Sequence, residues 1–243
     1  MSSSRGAELR FPVLARFQML PAMQLNLWVS LLTTVVVCSA DRSGFLQTGF
    51  LAAKWRIFVN FVPGSLLGAL FGTIWIGKMD EAGRRQLASR ALIFFGIFLI
   101  AYSWLIVQRI HFHAGFVRSV ITIIGALIGG FLTAILGTGS EAICIVTLSI
   151  FHDFDRPMGE AIASTAAIPT ILLCMVLSRG LARWNLPKGA MGLVLTMSIG
   201  SALGILLMTH LSSVNAGWLV HSALGLILIF FAISMRHSAA DRR

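Results

Sequence analysis

The chain has 243 residues, 57% apolar and 12% charged, with a mean hydropathy of +0.86. Soluble domains average about 45–50% apolar and about 25% charged, so these values exclude a soluble globular enzyme, a disordered tail, a coiled coil and a disulfide-stapled secreted domain. What remains is an all-α polytopic membrane protein, a single membrane domain over 1–243 with no room for a large soluble one. The net charge of +10 is read as basic loops that anchor membrane helices and set orientation, not as a nucleic-acid interface, because no nucleic-acid-binding motif accompanies it.

In chain order, charge-free stretches cover 17–40, 57–77, 91–108, 119–140, 161–178, 189–209 and 211–235. A spanning helix needs about 20 mostly apolar residues, so about seven full spans are expected. Barrel strands are excluded, since the runs are continuously apolar and do not alternate. Two shorter apolar pieces, 9–20 and 142–154, read as half-helices or re-entrant elements. The connections 41–56, 78–90, 109–118 and 179–188 are short and basic. Trp55, Trp75, Trp104, Trp184 and Trp218 lie near the expected helix ends, where an interfacial aromatic belt would sit. The first 20 residues carry Arg5, Glu8, Arg10 and Arg16 and do not form a signal peptide. Cys38, Cys144 and Cys174 lie in apolar stretches without a CxxC, which gives no basis for a disulfide, a metal site or a redox relay. No cofactor is expected.

The chain repeats itself. Gly64-Ser65-Leu66-Leu67-Gly68 recurs 136 residues later as Gly200-Ser201-Ala202-Leu203-Gly204, and Gly6-Ala7-Glu8 recurs 133 residues later as Gly139-Ser140-Glu141. Each Gly-x-Glu opens a short apolar piece that ends near a proline, Pro21 or Pro157. Each proline precedes a helix dotted with polar residues, Gln24, Asn26 and Ser30 in one copy and Ser164 and Thr165 in the other. The reading is two internal repeats of about four helices, 1–108 and 109–243. Counting Lys and Arg on the two sides does not discriminate orientation; inversion of the second repeat is expected on general transporter logic. Duplication with interrupted helices at corresponding positions points to a secondary transporter whose helix ends meet near the midplane, where exposed N–H groups can hold an anion. The small-xxx-small spacing of the two GSxxG copies is read first as close helix packing.

The most informative segment is Gly125-Ala126-Leu127-Ile128-Gly129-Gly130 leading into Leu136-Gly137-Thr138-Gly139-Ser140-Glu141. Its glycines free backbone groups at membrane depth, tolerated only against protein or a polar cavity. Glu141 just past the break is either a proton-coupling carboxyl or a helix cap; the two readings stand side by side. From this segment, the Ala161-Ile162-Ala163-Ser164-Thr165 helix and the Gly200–Gly204 helix, in that order, the chain resembles the sulfite exporter TauE/SafE family over nearly its whole length. The resemblance implies an eight-helix, two-repeat inner-membrane permease for sulfur-containing oxyanions such as sulfite or organosulfonates. It departs from the family pattern at Ser140 and Glu141, where glycine is usual. It departs again before Ser4-Arg5-Gly6-Ala7-Glu8, where the first repeat lacks its glycine-rich helix, so Met1 is read as an internal start or the repeat as truncated.

The expected substrate contacts are Gly137, Gly139, Ser140, Glu141, Ser164 and Thr165 in the second repeat and Glu8, Asn26 and Ser30 in the first. The partners are a small anion and the lipid bilayer, with no nucleic acid and with homo-oligomer formation left open. Two other classes compete: an intramembrane hydrolase built on Ser140 and His221, disfavoured because the GxSxG order is absent, and a non-transporting accessory or degenerate protein of the same fold.

Overall fold

A computed structural model describes residues 19–39, 50–108, 115–138, 140–151, 156–181, 192, 194–201 and 217–240. The described chain is helical: α1 Met19–Ser39, α2 Phe50–Gly77, α3 Glu81–Gln108, α4 Gly115–Leu136, α5 Ser140–Phe151, α6 Arg156–Leu181 and α7 Gly217–Ala240, with a further helical stretch over 194–201. Among the described residues, four helices are long and apolar enough to cross a membrane: α1, α2, α3 and α4. α6 and α7 carry shorter apolar stretches, Ile162–Ser178 and Ser222–Ser234. Of the seven expected spans, 189–209 lies largely outside the described residues, as does the short piece 9–20 up to residue 18. Phe71, Ile97, Val176 and Phe230 point outward and are more than half exposed, the outer surface of a protein whose surroundings are hydrocarbon.

The connection expected over 78–90 is mostly helix. Only Lys78–Asp80 leaves the helical path, and α3 begins at Glu81. Asp80 explains the early start: its Oδ1 accepts the Gly83 N–H at 2.9 Å, and its carbonyl accepts the Arg84 N–H at 3.0 Å, which caps α3. Likewise α6 begins at Arg156, before the apolar run, because Pro157 suits a first helical turn, whose N–H groups have no intrahelical partner to lose.

Two helix pairs are locked by glycine. α2 and α4 run parallel, with Gly64, Gly68 and Gly72 on one stripe of α2. A Cβ on Gly64 would lie 2.9 Å from the Ala126 Cβ, and one on Gly72 would lie 2.7 Å from the Ala134 Cβ. A Cβ on Gly68 would collide with the Leu127 carbonyl, and one on Gly130 with the Ser65 carbonyl. The first GSxxG copy is therefore a packing surface, as small-xxx-small stripes in membranes are. Gly200 of the second copy faces open space among the described residues.

The other pair is α3 and α7, antiparallel, with the Ser89 hydroxyl donating to the Ala232 carbonyl at 2.8 Å. A Cβ on Gly96 would lie 2.7 Å from the Gly225 carbonyl, and one on Gly225 would lie 2.6 Å from the Gly96 carbonyl. Gly96 also meets Ile229, four residues past Gly225, and Gly225 meets Ile100, four residues past Gly96. Each contact is matched by its reciprocal.

α1 packs antiparallel along α6: the Gln24 amide donates to the Ser178 carbonyl at 3.3 Å, and the Cys38 sulfur lies 3.9 Å from the Thr165 hydroxyl. Two proline-bearing helices, α2 with Pro63 and α6 with Pro169, are joined just past their prolines by the Ser65 and Thr170 hydroxyls at 2.7 Å. The main apolar core, including Met23, Leu92, Phe95, Ile135, Ile171 and Leu228, runs between these helices.

Candidate functional site

α4 stops at Leu136 because Gly137 adopts φ +74°. That left-handed turn is the usual glycine end of a helix, and the Gly137 N–H closes it onto the Thr133 carbonyl at 2.9 Å. Gly137 is required twice. A side chain there would be strained in φ, and its Cβ would lie 2.9 Å from the Asn26 Cβ and 3.0 Å from the Met23 carbonyl. The close approach lets Asn26 serve the broken end: its Nδ2 donates to the Leu136 carbonyl at 2.6 Å. Asn26 is completely buried, so an amide from another helix satisfies a carbonyl that the break leaves open.

The chain passes Thr138, buried, and re-enters helix as α5 at Ser140. α5 has 12 residues and doubles back along α4, where a Cβ on Gly125 would sit 3.0 Å from the Thr147 hydroxyl. At about 18 Å it is too short to span a bilayer alone, the half-length element read from 142–154. Glu141 lies in its first turn, where a negative group suits the helix dipole. The Ser164 hydroxyl, from α6, donates to Glu141 Oε1 at 2.9 Å. Ser164 is fully buried, whereas Glu141 is partly exposed.

Several buried hydroxyls bond back to their own helix: Thr33 to Val29, Thr73 to Ala69, Thr133 to Gly129, Thr147 to Ile143 and Ser178 to Met175. That habit is the ordinary one for Ser and Thr inside helices. Ser164 departs from it by reaching across to the carboxylate. Ser30, one turn beyond Asn26 on α1, also departs: its hydroxyl is buried, 6% exposed, with no hydrogen-bond partner among the described residues.

The structure thus joins Glu141 to Ser164 and Asn26 to the α4 end, on the two sides of one break. It does not gather all the expected side chains at one point. Cys38, not Asn26, faces Thr165, and Asn26 lies 12 residues, about 18 Å, farther along α1. Glu8 and the backbone of Gly139 lie outside the described residues, as do the side chains of Ser140 and His221. Sequence reading misses the Asn26–Leu136 bond, which closes over 110 residues of chain, and it misses Met23, whose backbone carries no chemical signature.

A family model described as sulfite exporter TauE/SafE matches residues 6–235. No curated protein and no solved structure matches the chain.

Proposed function

The chain belongs to the sulfite exporter TauE/SafE family, a family of membrane transporters rather than enzymes, and on that premise we propose that it is a secondary permease of the inner membrane for small sulfur oxyanions, sulfite or an organosulfonate. The observation that carries this reading is the helix break at Gly137, held by Asn26 on one side and followed by the Glu141–Ser164 pair on the other. A broken helix presents unpaired backbone groups at a depth where only a polar cavity, protein or ligand satisfies them. The anion is held by N–H groups at the start of α5, from Gly139, Ser140 and Glu141, beside the Ser164 hydroxyl, with Thr165 and Ser30 contributing at other stages of the path. Gly137 and Asn26 hold the break open, and Glu8 takes the place of Glu141 in the first half.

The two halves, 1–108 and 109–243, act as repeats inverted with respect to each other. The reciprocal packing of Gly96 on Gly225 supports this reading, since corresponding helices that run antiparallel belong to halves of opposite orientation.

The test is flux of radiolabelled sulfite, and separately of a labelled organosulfonate, into proteoliposomes containing the purified chain. Saturable flux above that of empty vesicles is expected, and Gly137→Leu is expected to abolish it while the protein still inserts. No flux of either anion would leave the accessory, non-transporting reading in its place.

A further inference from the structure

A small cavity lies where the start of α1, the turn between α2 and α3, and the end of α4 converge. Met19, Leu20, Met23, Ile76, Arg84 and Ile135 line it. Its volume is about 10 Å³, room for roughly one water molecule. The inner wall is continuous with the break: Ile135 directly precedes Leu136, whose carbonyl takes the Asn26 amide, and the Met23 carbonyl abuts Gly137. The outer wall holds Arg84, in the first turn of α3 just past the turn Lys78–Asp80.

The stability of α3 does not explain Arg84, because a cation in the first turn of a helix opposes the helix dipole. One nitrogen has a structural role, since Nε donates to the Ile76 carbonyl at 3.1 Å, near the end of α2. That bond fixes the guanidinium and leaves the two terminal nitrogens, with four of its five N–H donors. The carboxylates nearby are engaged elsewhere. Glu81 accepts the Met19 N–H at 2.9 Å and Arg85 Nε at 3.3 Å, and Asp80 accepts the Gly83 N–H. Among the described residues no carboxylate pairs with Arg84; the ion pair there is Arg85 with Glu81. A half-buried guanidinium, held in place and short of an anion, lines a cavity whose inner wall is continuous with the break. The corresponding connection of the other half, 212–216, carries no charged residue.

We propose that Arg84 recruits the anion at one mouth of the transport path, and that Met19, Met23 and Ile135 form the apolar gate which must part before the anion reaches the break. Its planar fork matches two oxygens of a sulfite or sulfonate group. The asymmetry of charge makes this mouth, and not the corresponding one, the high-affinity side. The inference rests on the transport reading, since the mouth and the gate belong to its path, but the labelling ratio reads Arg84 without any flux.

The experiment introduces Met23→Cys, and separately Leu20→Cys, into a chain whose Cys38, Cys144 and Cys174 are replaced by serine. Each is labelled with an anionic thiosulfonate bearing a sulfonate group and with its cationic trimethylammonium counterpart. Relative to a free thiol, the anionic reagent is expected to gain about fivefold or more over the cationic one, an advantage that falls with added salt. Arg84→Gln should abolish that advantage, Arg84→Lys should keep most of it, and Arg85→Gln should leave it in place. An advantage unchanged in Arg84→Gln, or lost equally in Arg85→Gln, overturns the proposal. In parallel, Arg84→Gln should raise the KM for sulfite flux several-fold with kcat nearly kept, and an unchanged KM also overturns it. If the unsubstituted chain moves neither anion, the transport reading fails by itself and the labelling ratio still decides the role of Arg84.

Discussion

At Gly137 two constraints meet, a positive φ and backbone contact with α1. Alanine there carries the cost of the left-handed turn, about 1–2 kcal/mol, and that of displacing Asn26 as well. Gly137→Ala is therefore expected to lower the thermal midpoint of the purified protein by several degrees and to cut flux more than tenfold, read by a melting curve in detergent and by proteoliposome assay. Asn26→Ala leaves the Leu136 carbonyl buried and unmet, which costs about 1–3 kcal/mol. The Glu141–Ser164 bond makes a different prediction, because it lies across two helices and not within one. Glu141→Gln keeps an oxygen that can accept from Ser164 but removes the negative charge, whereas Ser164→Ala removes the donor and keeps the charge. Sulfite flux that changes more in Glu141→Gln than in Ser164→Ala is expected if the carboxylate acts on the anion, and equal flux in both leaves the carboxylate only its place at the helix start.

Among the elements, the α2–α4 pair has its helices in backbone contact, whereas Gly200 meets nothing among the described residues, and the same substitution should separate them. Gly130→Ala forces a Cβ into the Ser65 carbonyl, so the helices must part; overpacking of this kind costs about 1–3 kcal/mol. Gly200→Ala meets nothing within 4 Å and gains the helical preference of alanine, about 1 kcal/mol at most. Thermal melts of the two variants should move in opposite directions. From the sequence alone the two glycines sit in comparable small-residue stripes, so the difference is a property of partners, not of pattern. The same holds more widely. The helices and the break at Gly137 are legible in the sequence, because apolar runs and glycines act locally. The early start of α3 is not, because a charged segment reads as a connection, whereas Asp80 caps it and Arg84 is tied to Ile76. Asn26 stands out as polar on an apolar helix, but its partner, 110 residues away, is set by tertiary packing that no periodicity encodes.

For the whole molecule, the antiparallel contact of α3 with α7 fixes which ends share a side. Ser89 bonds Ala232 and Gly96 faces Gly225, so the start of α3 lies beside the end of α7. The turn Lys78–Asp80 and the end of α7 therefore belong on one face of the membrane, with the start of α7 on the other. This is what the proposed inverted halves require, since α3 would end the first half and α7 the second, and the two run in opposite directions. Two parallel halves would send α3 and α7 the same way and put their ends on opposite faces. Single cysteines at Lys78, Ser238 and Gly217, in a chain freed of its native cysteines, separate the alternatives in sealed vesicles. Lys78→Cys and Ser238→Cys should react with a membrane-impermeant maleimide from the same side and Gly217→Cys from the opposite side. Reaction of Lys78→Cys and Ser238→Cys from opposite sides would sink the inverted arrangement.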